Sequence, residues 1–178
     1  IKSMPYFLQA FNKRNPIYAD ILNYVSLGVL LNIPDNNFRQ LIDYVKQMDK
    51  QAKPSGWTPD LLLWFMLNSR MKEQEKQKYA ETLAYPRLYN GLYKVIQAPN
   101  AAAAKDTLNK YLDRWYNLNS NAPWYNSHLK NNSYRGYWAW EVAAVAKIMH
   151  IDDSDLKNNQ YYPYDMVHWA DNETTAKE

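Results

Sequence analysis

Apolar residues recur at intervals of three and four along most of the chain, the period of a helix face rather than of a strand. Ile17, Ile21, Leu22, Val25, Val29 and Leu30 make the first such stripe, and Asn32 to Pro34 stops it. Asp35 is placed to cap a second helix, whose Phe38, Leu41, Ile42, Val45 and Met48 share a face before KPSG ends it. Thr58, Pro59 and Asp60 form a helix-start signature ahead of the wholly apolar LLLWFML. A charged stretch follows from residue 73, and Pro86 breaks or restarts a helix in YPRLYNGLYKVIQ. Asn100 caps a long helix carrying Ala101, Ala104, Leu108, Tyr111, Leu112 and Trp115 on one side. A short PWYNSHL helix, a helix beginning near Gly136 and a terminal segment around PYDMVHW complete an all-α, compact multi-helix bundle.

With 178 residues and 47% apolar composition, one core is expected, as a single helical domain over residues 1–170 with a frayed polar tail at 171–178. The row opens on Ile1 without a signal-like arrangement, which reads as a piece of a longer chain lacking an N-terminal segment. No apolar run reaches the length of a membrane span, and there is no cysteine, so disulfides and thiolate metal sites are excluded and a reducing cytoplasm is the expected compartment.

Charge changes this picture through its distribution. The net charge is +3, yet residues 134–178 hold eight acids and four bases, a balance of −4, which leaves +7 on the first 133 residues. A basic body with an acidic end makes a directional field that steers association with a partner.

Glu141 lies within RGYWAWEVAAVAK, where few positions are left to face water. It reads as a buried structural carboxylate that needs a partner from another helix, with Arg87, Arg114, His168 or a tyrosine hydroxyl as candidates; a catalytic acid would need a second group and a cleft. Asp152, Asp153 and Asp155 resemble the start of a calcium loop but lack its glycine and distal glutamate, so Asp152 is expected to cap a short helix. His128, His150 and His168 are too scattered for a zinc motif, and no nucleotide-binding or nucleophile signature is present. Neither a metal nor a cofactor is expected, and no catalytic residue is assigned. In NNQYYPYD, Tyr161, Tyr162 and Tyr164 crowd a proline turn beside Asp165 and suit contact with another protein. Lysines interleaved with aromatics keep a helical nucleic-acid-binding module as the alternative, although arginine is sparse.

GYWAWEVAAVAKIMHIDDSDLKNNQYYPYDMVHW, residues 136–169, resembles the C-terminal signature of the PoNi-type immunity proteins of bacterial polymorphic toxin systems, and WYNLNSNAPWYNSHLK, residues 115–130, fits the stretch before it. His150 stands where glycine is expected in the family, a departure that bears on the local helix end. The resemblance implies a cytoplasmic helical protein that binds and neutralises a cognate DNase effector, typically of the PoNe type, with neither a membrane nor nucleic acid as direct partner. Asp152, Asp153, Asp155, Tyr161, Tyr162, Tyr164 and Asp165 are the expected toxin-contact residues.

Overall fold

Start signals in the sequence fix the beginnings of three helices, at Asp60, Pro86 and Asn100. The computed structural model describes residues 17–52, 55–130 and 136–169, so the expected tail at 171–178 lies outside the described residues. Among the described residues there are seven α-helices and no strand, only an isolated bridge between Asp60 and Thr82. The chain divides into two compact units, residues 1–84 and 85–178.

The first unit contains α1 (Tyr18–Leu30), α2 (Asp35–Gln51) and α3 (Leu61–Asn68). Its core follows the predicted stripes except at Ile17, which lies just ahead of α1 and is exposed: Ile21, Leu22 and Val25 of α1, Phe38, Leu41, Ile42 and Val45 of α2, and Leu62, Leu63, Trp64, Met66 and Leu67 of α3 are buried. Asp35 does not cap α2; it is the first helical residue after Pro34, and its carboxylate pairs with Arg70. α3 starts after Asp60 rather than Thr58, because the Asp60 carboxylate accepts the Leu63 N–H at 2.7 Å. That carboxylate is fully buried and also accepts the Tyr18 hydroxyl at 2.8 Å and the Ala84 N–H at 2.7 Å. A second carboxylate, Asp49, accepts the indole N–H of Trp57 at 2.7 Å and of Trp64 at 2.8 Å, and the Tyr79 hydroxyl at 2.7 Å.

The second unit opens with a helical hairpin, α4 (Pro86–Ile96) and α5 (Ala101–Leu118). Pro86 restarts the chain as the first residue of α4, where its missing N–H costs nothing, and Asn100 caps α5 by accepting the Ala103 N–H at 2.9 Å. PWYNSHL forms turns and a single 3₁₀ turn, Ser127–Leu129, in place of the expected α-helix. α6 (Trp140–Ile148) begins four residues beyond Gly136, whose φ of 76° is non-helical. A 3₁₀ turn, Ser154–Leu156, and α7 (Tyr164–Val167) follow.

Glu141 joins α5 to α6. It is only 5% exposed, and its Oε1 accepts the Trp115 indole N–H at 2.6 Å. None of the partners expected from sequence fills this place; an indole satisfies the oxygen without bringing a second charge out of water. Burial pushes the carboxyl up to about 7, against the lowering effect of the Trp115 bond. The folded protein therefore keeps a proton that the unfolded chain releases near its ordinary value of 4.5. Stability should fall as pH rises from about 4.5 to about 7 and level off above, a loss on the order of 3 kcal/mol. Glu141→Gln keeps an acceptor for Trp115 and removes this slope, so it should melt above the wild type at pH 8; thermal melts of both proteins at pH 5 and 8 check this, and parallel pH profiles would contradict it.

His150 has φ 52°, in the left-handed region, directly after the end of α6. Its N–H donates to the Lys147 carbonyl at 3.2 Å and that of Ile151 to the Ala146 carbonyl at 3.0 Å, the paired closure that glycine makes at lowest cost. The histidine thus occupies a glycine position and its ring is exposed. His150→Gly should stabilise the protein by about 0.5–1 kcal/mol in chemical denaturation; a loss of stability would show that the imidazole makes a compensating contact.

Candidate functional site

Residues 152–165, the segment the sequence marks for partner contact, separate into an outer and an inner set. Asp152 and Asp155 point outward, their side chains 70% and 47% exposed, and both pair with Lys105 of α5, at 2.8 and 3.1 Å. Asn109, one turn further along α5, donates to Asp155 at 2.9 Å. Asp165 is also exposed and Tyr164 is half-buried. Asp153 and Tyr162 face inward instead: both are buried, and the Tyr162 hydroxyl donates to Asp153 Oδ2 at 2.7 Å. His168 Nε2 lies 2.9 Å from the other Asp153 oxygen, and the Tyr164 ring packs on the His168 ring at 4.4 Å. The pair thereby fixes the aspartate turn to α7.

Tyr161 is half-buried. Its ring stacks on Tyr116 with centroids 5.1 Å apart and planes 3° apart, and it lies 5.5 Å from Trp115. Its carbonyl accepts the Ala139 N–H at 2.9 Å, just ahead of α6. Of the three tyrosines expected to contact a partner, Tyr162 is an interior donor, Tyr161 anchors the loop to α5, and Tyr164 is half-buried. Lys147 of α6 donates to the Val167 carbonyl at 2.8 Å and closes α7 against α6.

Electrostatics follow from these contacts. The Lys105 ammonium holds Asp152 well below the usual carboxylate range. For Asp155 burial pulls upward, but Lys105 and Asn109 outweigh it and the carboxyl is lowered. Burial and then the Asp153 carboxylate raise Tyr162 far above an ordinary phenol, so it remains a donor at all accessible pH. Lys105 is itself only 28% exposed, so the surface of the turn presents its carboxylates to water with the cation beneath them. Asp152 does not cap a helix as expected; its Oδ1 accepts the Ser154 N–H at 3.1 Å, two residues on, and the turn that follows is 3₁₀.

Lys105 and Asn109 carry no motif, and only their i, i+4 spacing on α5 hints that they share a face. Nothing local announces that this face meets a turn some 46 residues downstream. Among the described residues no three His, Asp or Glu side chains are gathered as metal ligands, and no helix is long and apolar enough to cross a membrane.

The family model of PoNe immunity proteins (PoNi), C-terminal, matches residues 58–166, from just ahead of α3 into α7 and including the aspartate turn. No curated protein and no solved structure matches the chain. Over well more than half of its length, with the Glu141 helix, the aspartate turn and the tyrosine segment all inside the matched region, the chain belongs to the PoNe immunity protein family.

Proposed function

We propose that this chain binds a cognate DNase toxin in the bacterial cytoplasm and neutralises it by occupying the toxin's surface. The observation that carries the reading is the pair of solvent-facing carboxylates, Asp152 and Asp155, held side by side from below by Lys105. A DNase must present a cationic surface to the phosphates of its substrate. A fixed acidic edge competes for that surface, and preorganisation by Lys105 and Asn109 lowers the ordering cost of binding. Exposed Asp165 and half-buried Tyr164, both on α7, offer a further carboxylate and aromatic contact area. Asp153, Tyr162 and Tyr161 serve the same contact from within, by holding the segment in shape.

Glu141 fits this reading as a structural group. It is enclosed by α6 and bonded to an indole, which neither gives nor takes a proton in acid–base chemistry.

Replacing both outer carboxylates, Asp152→Asn with Asp155→Asn, should slow association with the toxin by about three- to tenfold at low salt and flatten its salt dependence, while dissociation changes less. Stopped-flow association measured at two ionic strengths tests this. Unaltered association rates in a variant with wild-type circular dichroism would remove the acidic turn from the interface.

A further inference from the structure

The α4–α5 hairpin carries a groove of about 420 Å³ whose charged lining is entirely cationic: Arg87 and Lys94 from α4, Lys110 and Arg114 from α5. Part of its wall is the close approach of the two helices, where a Cβ on Gly91 would sit 2.6 Å from the Tyr111 ring and the Tyr111 hydroxyl donates to the Leu88 carbonyl at 2.9 Å. All four cations are exposed. Lys110 pairs with Asp106 at 2.6 Å, and among the described residues Arg87, Lys94 and Arg114 have no ion pair.

Two of these charges, Arg87 and Arg114, are badly placed for the free protein, whereas Lys94 lies in the last turn of α4, where a cation is favoured, and Lys110 is paired with Asp106. Arg87 sits in the first turn of α4, at the positive end of the helix dipole, where no acid offsets it. Lys110 and Arg114 are like charges at i, i+4 on α5. Locally unfavourable charge with no structural gain marks a place where binding supplies the compensation.

We propose that this groove binds a carboxylate-rich segment of the toxin, a second contact that rests on the toxin-binding reading above. Guanidinium forks match carboxylates with two parallel hydrogen bonds. Arg87 and Lys94 stand seven residues apart, about 10 Å along α4, which is the separation of two carboxylates seven residues apart on a helix or three apart on an extended segment. Nucleic acid fits less well. Residues 85–178 contain ten bases and ten acids, so a polyanion longer than the groove gains no further attraction from the rest of the unit, while a short acidic segment needs only the four cations. Exposed Asp106 and Asp113 lie on α5 between the groove and the Lys105–Asn109 flank that carries the acidic turn. A partner laid across α5 thus meets carboxylates on one flank and cations on the other, roughly a helix diameter apart, about 10 Å.

The test uses the full chain and its Arg87→Gln, Arg114→Gln double variant, titrated calorimetrically with hexaglutamate, with hexathymidylate and with the toxin at moderate salt. Hexaglutamate should bind the native chain more tightly than hexathymidylate does, and the double variant should lose roughly tenfold or more for both hexaglutamate and toxin. The variant should melt at or above the native temperature, since like-charge repulsion is relieved; a clear drop would assign the arginines a structural role and overturn the site. Tighter binding of hexathymidylate would overturn the acidic polypeptide in favour of nucleic acid. Hexaglutamate bound equally by both proteins would remove the groove. Hexaglutamate bound by the groove of a chain whose toxin affinity the variant leaves unchanged would remove the toxin as its occupant, whereas failure of the native chain to bind toxin at all, with hexaglutamate still bound, would strike the toxin-binding reading itself and the toxin as occupant with it.

Discussion

A carboxylate satisfied by aromatic donors is the bond on which each unit of this protein depends. Asp49 takes two indoles and a phenol, Asp60 a phenol and two backbone amides, Glu141 an indole, and Asp153 a phenol and an imidazole. Each of these groups could have been paired with lysine or arginine, at the cost of taking a second charge out of water. Tyrosine and tryptophan instead bring a large apolar body and one polar tip, so a single side chain fills the core and meets the acid. Tyr18, Trp57, Trp64, Trp115 and Tyr162 are each buried and each donate to one of these acids. The consequence is that, among the described residues, carboxyl groups are buried without a lysine or arginine beside them, and burial raises both Asp60 and Glu141.

The same bond makes the outer surface of the second unit definite. Asp153 looks in sequence like one of three equivalent turn aspartates, but its bonds to Tyr162 and His168 draw it inward and leave Asp152 and Asp155 on the outside. Tyr161, stacked on Tyr116, fixes the far side of the loop to α5. α5 therefore acts as a common spine: Trp115 meets Glu141, Lys105 and Asn109 meet the turn, and Lys110 and Arg114 face the groove shared with α4.

Helix identity was legible because apolar spacing, Pro86 and Asn100 are local signals, and the all-α class follows from them. Boundaries were less so where two residues compete for one cap: Asp60 won over Thr58 because its carboxylate also serves Tyr18 and Ala84, a tertiary reward that no window around residue 58 contains. The burial of Glu141 was readable from its neighbours, but its partner was not, since charge complementarity points to arginine and the structure uses Trp115. Likewise the tyrosine segment was recognised as unusual, yet which ring turns inward depends on Asp153, nine residues earlier. The groove is not legible in the sequence, where Arg87 and Arg114 read as candidate partners of Glu141; Arg87 and Lys94 are distant in sequence from Lys110 and Arg114, and only the hairpin brings the four to one place.

Membership in the PoNe immunity family and a surface organised by fixed carboxylates support the proposed account, in which the protein acts by occupying its partner's surface. That account is tested most directly by adding the purified chain in increments to the DNase toxin proposed as its partner and following plasmid cleavage. Inhibition that rises linearly and completes at one equivalent, with the DNA untouched by the chain alone, is the predicted result; silencing of the toxin by a small fraction of an equivalent, as an enzyme would achieve, contradicts it.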